Sequence, residues 1–147
     1  PVERTSIDVN ELLFEAKRLF DARARAKSID LAVSAPDGAT VVASRTRLRE
    51  LLDALLDNAL TYTPEGGVVR VEVKGSTLEV RDSGPGIPAS EREQVFERFF
   101  RGSGAKGTSG SGLGLSVVRA IAEAEGATVS LDTAPEGGAC VRVRFAS

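Results

Sequence analysis

The chain has no histidine, no tryptophan and no methionine, and only one cysteine, Cys140, in 147 residues. Without histidine there is no Ser/His or Cys/His nucleophile pair and no side chain that titrates near neutral pH. A lone cysteine forms no internal disulfide, and with no histidine or second cysteine beside it a structural zinc site lacks its ligands; Cys140 reads as a small apolar strand residue. Long apolar runs are also missing, so no segment reaches the length of a membrane span, and no charged-then-apolar leader opens the sequence. The 19 basic and 21 acidic residues leave a formal charge of -2, which argues against nucleic acid or an anionic membrane as the main partner. What remains is 41% hydrophobic and 27% charged, the composition of one globular domain. The absence of methionine, with Pro1 at the start, predicts a fragment excised from a longer polypeptide; the lack of a membrane span makes the fragment soluble by expectation, and it is expected to be a monomer.

Patterning predicts the elements. Asp8 and Glu11 have capping-box spacing, and Leu12, Leu13, Ala16, Leu19 and Phe20 follow with helical period, giving a helix over about residues 9–26. "SIDLAVSA" and "ATVVAS" read as short strands. From Leu48 through Leu51, Leu52, Leu55, Leu56 and Ala59 the helical pattern is unbroken. "VVRVEVKG" and "TLEVRD" form a hairpin through Gly75 and Ser76, and a helix is expected near "ASEREQVF". Residues 103–112 are too poor in apolar side chains to pack and read as a mobile surface loop. A helix with Leu115, Val118, Ile121 and Ala122 inward follows and stops at Gly126, and "ATVSLD" and "CVRVRF" close the chain as a second hairpin turned by "PEGG". The order favours an α+β fold, a two-layer sandwich whose mixed sheet is covered on one face by helices.

Four features carry candidate chemistry. In "RDSGPGIP", Asp82 precedes Gly84 and Gly86, which is turn chemistry or, alternatively, a carboxylate presented to a ligand. Asn58 sits at the edge of its helix's apolar stripe, beside Leu51. An amide there either hydrogen-bonds a loop or offers its oxygen to a hard cation such as magnesium. "GSGLGL" runs a glycine-rich loop into a helix start, which is a hinge or a place for phosphate on free backbone N–H groups. "VFERFFR" holds three of the six phenylalanines; its spacing suits a core-facing helix end, and beside a loop it also suits a docking surface. Two other matches fail. Gly102, Gly104 and Gly107 satisfy G-x-G-x-x-G with no strand before them, and Lys106 follows Ala105, so no Walker motif exists.

Together and in this order, "LLDALLDNALTYTP", "DSGPGIP", "FERFFR" and "GSGLGL" resemble the asparagine, first glycine, phenylalanine and second glycine boxes of the catalytic ATP-binding domain of sensor histidine kinases. That family lies in the superfamily of gyrase B, the heat-shock chaperone ATPases and the mismatch-repair ATPases, and the resemblance spans residues 1–147. It implies a left-handed α/β sandwich, the Bergerat-type ATP-binding fold, with ATP and Mg2+ as ligands and a mobile ATP lid over about residues 101–112. By this resemblance Asp82 accepts the exocyclic amine of adenine, Gly84 and Gly86 let the backbone approach the base, Asn58 binds magnesium and Tyr62 lies against the nucleotide. Arg101, Lys106 and the second glycine box (Gly110, Ser111, Gly112, Leu113, Gly114) meet the nucleotide and its phosphates. An ionised carboxylate only accepts hydrogen bonds, so it suits adenine's amine and opposes guanine's carbonyl.

Two positions depart from the family pattern. Ala54 stands where many such kinases carry a second asparagine and the hydrolysing relatives a glutamate; Thr61 stands where many carry a phosphate-reaching lysine. The resemblance further implies phosphoryl transfer to a histidine on a separate dimerisation domain of the parent protein, docked on the phenylalanine-box surface. It also implies indirect signalling to a response regulator, and a cytoplasmic domain whose parent is anchored in the plasma membrane. A gyrase- or chaperone-like ATPase, an anti-sigma-factor-type serine kinase and a degenerate binding domain are the alternatives.

Overall fold

The structure, a computed structural model, describes residues 3–92, 94–96 and 114–146. Helix α1, Val9–Ala26, begins where the Asp8 carboxylate accepts the Glu11 amide at 3.2 Å. The capping box is only half made, because the Glu11 carboxylate pairs with Arg45 at 3.3 Å and Asp8 belongs to a strand. That strand, β1 (Thr5–Asp8), pairs antiparallel with β3 (Thr40–Ala43) in a separate two-stranded sheet. The sequence patterning did not reveal β1: in four residues only Ile7 turns inward, too few for a period to show.

Between them lies β2, Asp30–Ser34, and after them α2 (Arg45–Tyr62), β4 (Val68–Lys74), β5 (Thr77–Asp82), α3 (Gly114–Ala124), β6 (Thr128–Thr133) and β7 (Ala139–Arg144). The main sheet runs β2-β4-β5-β7-β6, parallel between β2 and β4 and antiparallel elsewhere. Alternation sorts its two faces. Val69, Val71, Val73, Leu78, Val80, Val141 and Val143 are buried inward under the helices, while Glu72, Arg81, Glu79 and Arg142 form an ion-pair ladder on the other side. The expected two-layer α+β sandwich with one covered face is therefore the observed one.

Helix α2 is the centre of the helical layer: Leu51, Leu52, Leu55, Leu56 and Leu60 are at most 1% exposed. Burying a leucine side chain is worth about 1.5–3 kcal/mol, so this stripe anchors the core. Leu19, expected inward, is 62% exposed; it lies past the edge of α1's apolar arc, where nothing packs over it. The helix expected near "ASEREQVF" is instead two 3₁₀ turns, Ala89–Glu91 and Gln94–Phe96. Pro88 offers no side-chain acceptor to the first turn, and in the two turns only Val95 is buried, so neither a cap nor an apolar face sustains an α-helix. Helix α3 does end at Gly126, whose φ of 71° lets the Ala127 amide return to the Ala122 carbonyl at 2.8 Å. Cys140 is fully buried, and burial pushes its thiol up to about 11, as expected of an inert strand residue.

Candidate nucleotide site

Asp82 is the last residue of β5 and points to the helix-covered face, with 7% exposure. Its Oδ1 accepts two backbone amides, Gly84 N–H at 2.9 Å and Ala139 N–H at 3.1 Å. Among the described residues, no hydrogen bond falls on Oδ2. Burial raises the carboxyl above the ordinary aspartate value, the Ala139 and Gly84 amides pull it back, and the nearby Glu136 charge adds to the rise. The Asp82–Gly84 bond is the turn chemistry that the sequence offered, and the second oxygen leaves the same carboxylate able to accept from a ligand.

The glycines around it are there for space. A Cβ on Gly84 would lie 2.8 Å from the Tyr62 carbonyl oxygen, so the turn after β5 presses directly on the end of α2. Gly86 has φ of 75°, and a Cβ there would touch Gly138 at 3.6 Å. Gly114 opens α3 against Asn58, whose Oδ1 would be 3.5 Å from a Cβ at that position. Asn58 and Tyr62 are both half-buried on the last turns of α2. Asp82, Gly84, Gly86, Asn58, Tyr62 and Gly114 thus converge where the end of β5 meets the end of α2 and the start of α3. Arg101, Lys106, Gly110, Ser111, Gly112 and Leu113 lie outside the described residues, as does most of the phenylalanine box; Phe96 is described, half-buried beneath the Arg119 guanidinium at 5.5 Å.

Asn58 makes no hydrogen bond among the described residues, which leaves the loop-bonding explanation of this amide without a partner there. No cluster of three or more acidic, histidine or cysteine side chains suited to a metal occurs among the described residues. One neutral amide fits a magnesium ion that brings its own phosphate and water ligands, and does not fit an all-protein cage. Ala54 places no acid one turn earlier. At Thr61 the hydroxyl accepts from Arg23 of α1 at 2.8 Å, and Arg23 also pairs with Asp57 at 2.6 Å.

Sequence patterning missed two features. Gly138, taken only as part of a hairpin turn, packs onto Asp82: a Cβ there would run into the carboxylate and its carbonyl and lie 2.6 Å from the Gly84 nitrogen. The doubled glycine in "PEGG" was the available signal, since Gly137, at φ 103°, supplies the left-handed residue the turn needs and the second glycine is left over. Thr63 is fully buried, and its Oγ1 has no partner among the described residues.

A family model described as histidine kinase-, DNA gyrase B-, and HSP90-like ATPase matches residues 43–147. The chain belongs to that family. Sensor histidine kinase TmoS of Ectopseudomonas mendocina is 35% identical over 94% of this chain and 15% of its own length. Histidine-protein kinase BaeS of Escherichia coli is 34% identical over 97% of this chain and 32% of its own. The chain therefore spans a third or less of these relatives. Among solved structures, the catalytic domain of histidine kinase ThkA matches with TM-score 0.83 and 31% identity over 97% of this chain and 95% of that one. The cytoplasmic segment of histidine kinase QseC matches with TM-score 0.74 and 25% identity over 99% and 79%. The fold and these relatives together make it an ATP-binding domain of the sensor histidine kinase type.

Proposed function

We propose that this domain binds Mg–ATP between the end of β5, the end of α2 and the start of α3, and donates the γ-phosphoryl group to a histidine outside the chain. Asp82 Oδ2 accepts the adenine amine while the Gly84 and Ala139 amides keep Oδ1 from turning away. Asn58 holds the magnesium, which when bound neutralises phosphate charge; Tyr62 lies against the nucleotide, and Gly114 begins the helix whose free N–H groups face the phosphates. Arg101, Lys106, Gly110, Ser111, Gly112 and Leu113 complete the phosphate contacts in this proposal.

In the transfer the γ-phosphorus–oxygen bond breaks, a phosphorus–nitrogen bond forms to the acceptor imidazole, and ADP leaves with the bridging oxygen. With no histidine among its 147 residues, the chain receives none of this phosphate as phosphohistidine. The acceptor is assigned to a dimerisation and phosphotransfer domain of the same parent protein, which passes the group to a response regulator; the fragment itself is monomeric. Ala54 supports transfer over hydrolysis, because no acid stands one turn before Asn58 to activate water. No described helix is long and apolar enough to cross a membrane; membrane attachment is assigned to the rest of the parent, with this domain on the ATP-containing cytoplasmic side.

The observation that carries the reading is the buried carboxylate of Asp82, with one oxygen committed to the Gly84 and Ala139 amides, at the strand end whose glycine turn presses on the end of α2. Calorimetric titration with ATP and GTP, each with and without magnesium, tests it. Binding of ATP alone, tightened by magnesium, is expected; equal binding of both purines would reject it.

A further inference from the structure

Arg81 and Asp82 are neighbours on β5 and so point to opposite faces of the sheet. The turn between β6 and β7 reaches both. On the covered face, Gly138 N–H donates to the Asp82 carbonyl at 3.1 Å and Ala139 N–H to Asp82 Oδ1 at 3.1 Å. On the other face, the Glu136 carboxylate from the same turn takes Arg81 Nε with both oxygens, each at 3.2 Å. The turn is closed internally by Gly137 N–H to Ala134 O at 2.9 Å and Ala134 N–H to Gly138 O at 2.7 Å. The same turn thus touches the strand on both faces.

We propose that Arg81 is a positioning residue for the adenine-binding carboxylate, acting through Glu136 and the β6–β7 turn; this rests on the reading that Asp82 receives the base. Arg81 never meets the nucleotide. Its guanidinium is held by Glu72 and Glu79 at 2.8 Å each, with 17% of the side chain exposed, so its own position is fixed before it grips the turn. Glu136 is 21% exposed, which shields the pair from most solvent screening. Release of Glu136 leaves the segment carrying the Gly138 and Ala139 amides held by its backbone bonds alone. The Ala139 amide is then less firmly set against Asp82 Oδ1, and the orientation of Oδ2 toward the base loosens. Ordering of that carboxylate becomes a cost of binding the base, and of nothing else in the nucleotide.

The test uses this 147-residue chain and compares ATP with purine riboside triphosphate, which lacks the 6-amino group. Glu136→Gln and Arg81→Gln should each weaken ATP binding about threefold to tenfold and leave the amine-free analogue unchanged. The double variant should be no worse than the poorer single one, and Arg81→Lys should recover part of the loss. Lys17→Gln, which breaks a pair with Asp21 on α1 at 3.0 Å, outside β5 and the turn, should change neither nucleotide. Equal weakening of both nucleotides, additive losses, or no loss in Glu136→Gln would overturn the proposal. Asp82→Asn separates the two levels: if it erases the preference for ATP over the analogue but Glu136→Gln does not reduce it, the tether alone is wrong. If Asp82→Asn leaves the preference intact, the base does not sit at Asp82 and both readings fall.

Discussion

The two ends of α2 are built by opposite rules. At its start, Ser44 is 1% exposed, its Oγ accepts the Arg47 amide at 3.3 Å, and its own N–H donates to Glu125 Oε1 at 3.0 Å. Glu125, buried beyond the end of α3, pairs through Oε2 with Arg47 at 3.3 Å, while Arg4 donates to the neighbouring Ala124 carbonyl at 3.1 Å. These buried polar groups answer one another. At the other end the backbone is equally well served, with Lys27 Nζ donating to the Leu60 carbonyl at 2.7 Å, yet the side chains are not. Oγ1 of the fully buried Thr63 has no hydrogen-bond partner among the described residues, and neither half-buried Asn58 nor Oδ2 of Asp82 is bonded there. The difference offers a way to separate structure from proposed function within one helix: paired polar groups hold elements together, and unpaired, partly accessible ones are the candidates for ligand contact.

Breaking the paired end should have the largest effect on stability. Glu125→Ala leaves the buried Ser44 N–H unmatched and two arginines without their carboxylate, and should cost about 3 kcal/mol in urea denaturation. ATP affinity of the molecules still folded should not change. An equal loss of affinity would show that the two ends are not separate.

Asp82→Asn should do the reverse. Losing a hydrogen bond to a charged acceptor weakens ATP binding by about 1.5–3 kcal/mol, roughly tenfold to a hundredfold. Thermal stability should stay level or rise. Because the folded carboxyl sits above its ordinary value, between those two values the folded state holds a proton that the unfolded chain has released. This residue's contribution to stability therefore declines as pH rises through the window from the ordinary aspartate value to the raised one, and Asn removes that cost at neutral pH. In the wild type, ATP affinity should weaken as pH falls through the same raised value, which burial lifts first and the Glu136 charge further, with the Ala139 and Gly84 amides opposing. A variant that melts several degrees lower would make Asp82 structural.

A smaller effect is expected at Asn58. Asn58→Ala should remove most of the magnesium-dependent gain in ATP affinity, about tenfold, and leave metal-free binding nearly unchanged; a retained magnesium effect would place the ion elsewhere. The smallest belongs to a pair at neither end. Lys17→Gln breaks the half-buried i,i+4 contact with Asp21 at 3.0 Å and should shift stability by less than about 0.5 kcal/mol, with ATP affinity unaltered.

Local pattern settled much of this protein. The leucine stripe of α2, the alternating strands and Gly126 as a helix stop follow from periodicity and backbone freedom, properties of residues a few positions apart. Asp82, Asn58 and the glycines after Asp82 were marked for the same reason, since a carboxylate before glycines and an amide at the edge of an apolar stripe are visible in one dimension. Only tertiary structure decided that β1 exists, that Glu125 seals the start of a helix 81 residues away in sequence, and that Gly138 and Glu136 close on opposite faces of the strand carrying Asp82. Contacts at such separation leave no period in the chain. They depend on which elements burial brings together, and a side chain's partner is not encoded beside it.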